Sequence, residues 1–139
     1  MKKITLIIAG DPNSINSELI FKSWRSLKQR TRKNIILIGN YDLILKQKRK
    51  LKFNINLSKI TDIDDYKRVN SLNILDVPLR FKNCFKVSIK EASKYVVSCL
   101  NYAHNLCKSR KINAFINCPV DKNLIKKKDI YGVTEFLGR

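Results

Sequence analysis

Apolar residues fall into two alternating patterns along this chain. The first is a short, nearly unbroken run. KITLIIA at 3–9, NIILIG at 34–39 and INAFINC at 112–118 are each the length of a strand and apolar on both faces, as strands buried inside a parallel sheet are. FNINL at 53–57 and LNIL at 72–75 are lesser runs of the same kind. The second pattern has helical period. Leu19, Ile20, Trp24 and Leu27 recur at helical spacing up to Thr31, behind Asn13, Ser14, Asn16 and Ser17 as N-cap candidates and Glu18 as first-turn acid. Tyr41–Lys52 reads as a helix with Leu43, Ile44 and Leu51 inward and Lys46, Lys48, Arg49 and Lys50 outward. Ser88 and Glu91 have the spacing of a capping box, and Ala92, Val96, Cys99, Ala103 and Leu106 carry an apolar stripe from there towards Lys108. Between these elements, TDIDDY at 61–66 reads as an acidic loop, and Pro78 to Val87 as a loop with an edge hairpin.

Strands alternating with helices predict an α/β fold: three layers, a mostly parallel sheet with helices on both faces. No internal repeat or linker divides residues 1–139, so one α/β unit is expected. At 139 residues the length suits one domain with a genuine core.

Charge changes the picture less than its size suggests. Lys and Arg number 29 against 11 acids, a net charge of +18, which is the footprint of a polyanion binder. Yet 21 of the bases are Lys and 8 are Arg, and Lys, Asn and Ile together make up 53 residues. Those three are the residues that AT-rich codons favour, so the basicity follows from coding bias without a selected partner. No run approaches the ~18–20 apolar residues of a membrane span, and Asp11-Pro12 cut the amino-terminal apolar run short; a cytoplasmic protein is expected. Cys84, Cys99, Cys107 and Cys118 show no paired spacing, and His104 is the single histidine, so neither a disulfide nor a zinc site is predicted.

In parallel sheets ligands bind beyond the carboxyl ends of strands. Two stretches occupy such ends here: Gly10–Glu18 after the first strand and Pro119–Lys122 after the last. Neither contains a Gly-rich dinucleotide or P-loop motif, and as bare chemistry each is equally well a capped turn.

Three motifs add a resemblance. GDPNSINSE at 10–18 resembles the GDPAGIGPE opening of the 4-hydroxythreonine-4-phosphate dehydrogenase family of vitamin B6 biosynthesis, keeping Gly10, Asp11, Pro12, Ile15 and Glu18. FINCPVDK at 115–122 resembles that family's LITGPVHK, keeping Ile116, Pro119, Val120 and Lys122. GVTEF at 132–136 resembles its GHTEF, keeping Gly132, Thr134, Glu135 and Phe136. The resemblance implies an isocitrate/isopropylmalate dehydrogenase-like fold, left incomplete because the chain corresponds to about the first two-fifths of a family member. It implies oxidation of 4-phosphohydroxy-threonine with NAD followed by loss of carbon dioxide, a divalent metal (zinc, magnesium or cobalt) held by three histidines, and a homodimer. It assigns Thr134 to the phosphorylated substrate and makes Gly10, Asp11, Pro119 and Lys122 possible loop contacts.

The departures are as informative. Val133 replaces a substrate-binding histidine, Asp121 another histidine, Cys118 a glycine, and Ser14 and Asn16 two more glycines; Ser17 replaces proline. With one histidine, the chain alone is expected to bind no catalytic metal and to be inactive. The alternative is a non-catalytic basic domain that binds nucleic acid or another polyanion.

Overall fold

The computed structural model describes residues 4–66 and 70–118. The elements run β1 (Ile4–Ile8), α1 (Asn16–Ser26), α2 (Gln29–Arg32), β2 (Ile35–Gly39), α3 (Tyr41–Lys50), β3 (Leu57–Ile60), a 3-10 turn at Ile63–Asp65, β4 (Leu72–Asp76), α4 (Ile89–Leu106) and β5 (Ile112–Asn117). The five strands form one sheet in the order β3-β4-β2-β1-β5. Among the described residues every pairing is parallel, in line with the mostly parallel sheet expected.

Right-handed crossovers dictate the layers. β1 to β2 and β2 to β3 move in one direction, which puts α1 and α3 on one face. β4 to β5 moves in the opposite direction and puts α4 on the other. The buried side chains divide accordingly. Ile20, Phe21, Trp24 and Ile44 pack with Ile35, Leu37, Leu72 and Ile74 on the first face. Tyr95, Val96, Cys99 and Leu100 pack with Leu6, Ile8, Ile36 and Ile38 on the second. β2 is buried at all five positions, which explains its unbroken apolar run. At its end Gly39 is needed for a close approach: a Cβ there would sit 2.8 Å from Tyr95 Oη and 2.9 Å from Ile44 Cδ1.

Several local expectations are corrected. The helix expected through Thr31 ends at Ser26, because Leu27 and Lys28 are extended. Arg32 makes that early stop stable. Its Nε donates to Trp24 O at 2.9 Å and its Nη2 to Arg25 O at 3.0 Å, satisfying carbonyls that the helix terminus leaves open. Leu19, expected inward, is 45% exposed. None of the four N-cap candidates occupies that position; Ile15 does, and Ser14 Oγ accepts the Asn16 N–H at 3.1 Å instead.

The third strand lies at 57–60 rather than 53–57. Lys52 takes φ 59°, and Phe53 turns back so that its ring lies 5.3 Å from that of Phe21. Lys48, expected outward, is half-buried and donates to Ile55 O at 3.0 Å. No hairpin forms between Pro78 and Val87; side chains from elsewhere take up backbone groups of that loop, as described below. The acidic loop contains the 3-10 turn, with Asp62 Oδ1 accepting from Asp64 N. By contrast Ser88 caps α4 as its spacing predicted, accepting from Glu91 N at 3.3 Å.

Candidate functional site

β1 and β5 are neighbours and end together. Ile8 pairs with Asn117, and Cys118 N donates to Ile8 O at 3.1 Å. The chain leaving β1 at Gly10 and the chain reaching Cys118 therefore lie side by side at one carboxyl rim, although more than a hundred residues separate them. This is where the fold places Gly10 and Asp11. Pro119, Lys122, Val133 and Thr134 lie outside the described residues.

The loop from Gly10 is built to hold one shape. Gly10 takes φ 75°, a conformation in which any other residue is strained. Asp11 Oδ1 accepts from Asn13 N at 2.9 Å, and Ser14 Oγ donates to Asp11 O at 2.7 Å, a side-chain-closed turn. Three amides then fasten the loop to the core. Asn16 Nδ2 donates to Ala9 O at 3.2 Å. Gln47 Nε2 donates to Pro12 O at 2.9 Å and to Cys84 O at 2.8 Å. Asn13 imitates a strand partner for Val87, donating from Nδ2 to its carbonyl at 2.8 Å and accepting from its N–H at 2.7 Å. Asn13 and Gln47 join the loop after β1 to the loop before α4, so the rim is one connected frame. Ser17 buries its hydroxyl without a hydrogen-bond partner.

Beyond the ends of the adjacent strands β2 and β4 the chain diverges to opposite faces, and the protein's own groups close that place. Asn40 Nδ2 donates to Val77 O and Asn40 Oδ1 accepts from Leu43 N, both at 2.9 Å. Tyr41 N donates to Asp76 Oδ1 at 2.8 Å, and Asn40 N to Tyr95 Oη at 2.9 Å. A ligand there would have to displace four bonds. The β1/β5 rim is the better candidate.

Sequence reasoning missed Asn13, Asn40, Gln47 and Tyr95 as the frame of this end of the sheet. For Asn40 a signal existed: an Asn between Gly39 and a helical pattern is a good N-cap. Gln47 lies in a run of bases that reads as solvated, and nothing local marks it as buried.

The available chemistry is limited. Burial pushes the Cys118 thiol up to about 11 and the Cys99 thiol up to about 12, so neither is a thiolate nucleophile at neutral pH. Among the described residues no cluster of three or more His, Cys, Asp or Glu could hold a metal. His104 is exposed in the last turn of α4. Three of the bases lie against aromatic rings: Arg25 lies 4.7 Å over the Phe53 ring, Arg32 5.3 Å over Trp24 and Lys46 5.1 Å over Phe81. No described helix is long and apolar enough to cross a membrane.

Residues 31–139 match the family described as pyridoxal phosphate biosynthetic protein PdxA. A 4-hydroxythreonine-4-phosphate dehydrogenase of Sulfurihydrogenibium sp. (strain YO3AOP1) is 28% identical over 136 residues, which is 95% of this chain and 41% of that protein. The fold matches the crystal structure of a 4-hydroxythreonine-4-phosphate dehydrogenase from Burkholderia phymatum with a TM-score of 0.85 at 19% identity, over 99% of this chain and 43% of that one. The enzyme of the same name from Klebsiella pneumoniae gives a TM-score of 0.75 at 20% identity, over 89% and 39%. This chain therefore spans about two-fifths of the length of the curated relative it matches.

Proposed function

Since the chain belongs to the pyridoxal phosphate biosynthetic protein PdxA family, we propose that it supplies the amino-terminal substrate rim of a diverged 4-phosphohydroxy-threonine dehydrogenase. The reaction class is oxidation of a secondary alcohol by NAD followed by decarboxylation of the β-keto acid formed. One observation supports this above the others: the first two family motifs, at Gly10 and around Cys118, start from adjacent strand ends held in register. In this proposal the Gly10–Ser14 loop orients a phosphorylated small molecule. The carbonyls of Asp11 and Pro12 within it, and of Ala9 just before it, accept bonds from Ser14, Gln47 and Asn16, so ordering on binding costs little.

The metal expected for the family does not fit the residues of this chain. One exposed imidazole, in the last turn of α4 at the end away from the rim, cannot replace three converging ones. No step is therefore assigned to a metal here, and hydride transfer, a homodimer and a cytoplasmic setting belong to the proposed whole enzyme.

Titration of the chain with 4-phosphohydroxy-threonine, followed by amide NMR, tests the site. Shifts concentrated at Gly10–Ser14 and Cys118 are expected. Their absence at saturating substrate, or their concentration at β3 or the amino-terminal end of the sheet, overturns the proposal. In the matching assay, the purified chain is expected to reduce no NAD; reduction proportional to chain concentration would show that the catalytic groups are all present.

A further inference from the structure

The end of the sheet away from the substrate rim carries a charge pattern that the rim does not explain. Between Glu18 and Asp62 the chain has twelve bases and one acid, Asp42. Coding bias accounts for the lysines among them, but four of the twelve are Arg, half of the chain's eight. The fold gathers these bases. α1 and α3 pack against each other, and each runs from the carboxyl rim back towards the start of the following strand. Their acids, Glu18 and Asp42, fall in the first turns at the rim. Their last turns, at the opposite end, hold Arg25, Lys48, Arg49 and Lys50. The Arg25 guanidinium over the Phe53 ring joins the end of α1 to the chain leaving α3. Arg25, Arg49, Lys50 and Lys52 therefore share one surface. All four are exposed, and among the described residues none is in an ion pair. The α4 face differs at the same end of the sheet. There Asp62, Asp64 and Asp65 stand at the 3-10 turn, and Lys111 pairs with Asp64.

Lys52 stands out for its backbone. Among the described residues it is the one non-glycine at positive φ, 59°. It follows the C-cap Leu51 of α3, and its N–H donates to Arg49 O. Glycine is usual at that position, because a side chain there is strained. Strain of this kind is kept where the side chain serves a function.

The four bases line neither the trough beside α1 nor the small space behind Gly10, so the surface suits a polymer of anions better than a single small one. The exposed large apolar side chains lie elsewhere. The surface thus has no apolar wedge for a membrane and no free ring on which unpaired bases could stack. We propose that the ends of α1 and α3 bind double-stranded nucleic acid through its phosphate backbone, with Arg25, Arg49, Lys50 and Lys52 as the contacting residues. Phosphate contacts carry no sequence information, so binding is sequence-independent and weakens with salt. This surface is remote from the Gly10 loop, and its test needs no substrate.

The full chain is titrated against a fluorescently labelled DNA duplex, with anisotropy as the readout. Between about 50 and 200 mM salt the affinity should fall roughly a hundredfold, the loss expected for about four neutralised phosphates. Arg49→Gln combined with Lys50→Gln should weaken binding about tenfold or more at the lower salt and flatten its salt dependence. Lys90→Gln combined with Lys94→Gln removes the same charge from exposed positions of α4. That pair should change the affinity by less than about twofold, since charges beyond a Debye length are screened. Lys52→Gly separates binding from folding: it should raise the thermal midpoint while weakening binding. Equal losses from the two Gln pairs would mean that net charge alone drives binding, and would overturn the proposal. So would an unchanged affinity in Lys52→Gly. Binding of a single strand, or of vesicles of anionic lipid, as tightly as the duplex overturns it as well.

Discussion

The two faces of the sheet use the same kind of helix to different extents. α4 and α1 are both amphipathic, and each begins with an acid in its first turn. Yet α4 seals its face, with six residues at 1% exposure or less, whereas α1 buries Phe21 and Trp24 and leaves Leu19 and Ile15 to solvent. The difference is one of position. α4 lies over the middle of the sheet, against Leu6, Ile8, Ile36 and Ile38. α1 lies with its outer flank beside the edge pair of β1 and β5. An apolar stripe therefore marks the side of a helix that prefers company, without saying whether the same chain provides it.

The largest expected effect contrasts the two faces directly. Tyr95→Ala should cost about 4 kcal/mol, as for truncation of a fully buried aromatic side chain, and Leu19→Ala less than about 0.5 kcal/mol. Urea denaturation of both variants measures the difference, and equal costs would mean that the open face is already covered.

The next effect appears only in alkali. The Cys99 thiol is raised to about 12 by burial, so the folded chain keeps a proton that the unfolded chain releases above about pH 9. Stability from this group is intact below pH 9 and lost as pH rises towards 12, amounting to about 3 kcal/mol by pH 11. Cys99→Ala should flatten that slope. An unchanged slope would assign the loss to other groups and break the link between sealing and titration.

Gln47→Ala probes how the helices on the open face hold the rim. It removes the donor to Pro12 O and Cys84 O and should cost about 2 kcal/mol. Amide exchange at Gly10–Ser14 should rise more than in α4; uniform acceleration would contradict a local anchoring role. The smallest effect has the opposite sign. Ser17→Ala removes a buried hydroxyl with no hydrogen-bond partner and should stabilise by about 1 kcal/mol, read as a rise in thermal midpoint.

Much of the architecture was legible because it is local. Continuous apolar runs predicted β1, β2, β4 and β5, and serine–glutamate spacing predicted the start of α4. β5, expected to be buried on both faces, is instead the last described strand of the sheet with no buried position, because burial depends on neighbours and not on the run itself. The errors occurred where a distant group took over. Arg32 ends α1 by taking its carbonyls. The stacking of Phe53 on Phe21 accompanies the later start of the third strand.

The candidate site divides in the same way. The stretch from Gly10 was singled out from its place after a strand, and Gly10 and Asp11 within it by the family resemblance; the left-handed Gly10 and the turn closed by Asp11 became visible only in the structure. The chain's composition and periodicity thus determined a parallel α/β sheet, its element order and the loop that turns at Gly10. Tertiary structure alone decided that β5 lies against β1, that Asn13 pairs with Val87 across 74 residues, and that Gln47 points inward from a basic helix. Those outcomes depend on which strands pair and on which carbonyls are left to satisfy once they have paired. Both conditions exist only in the folded chain.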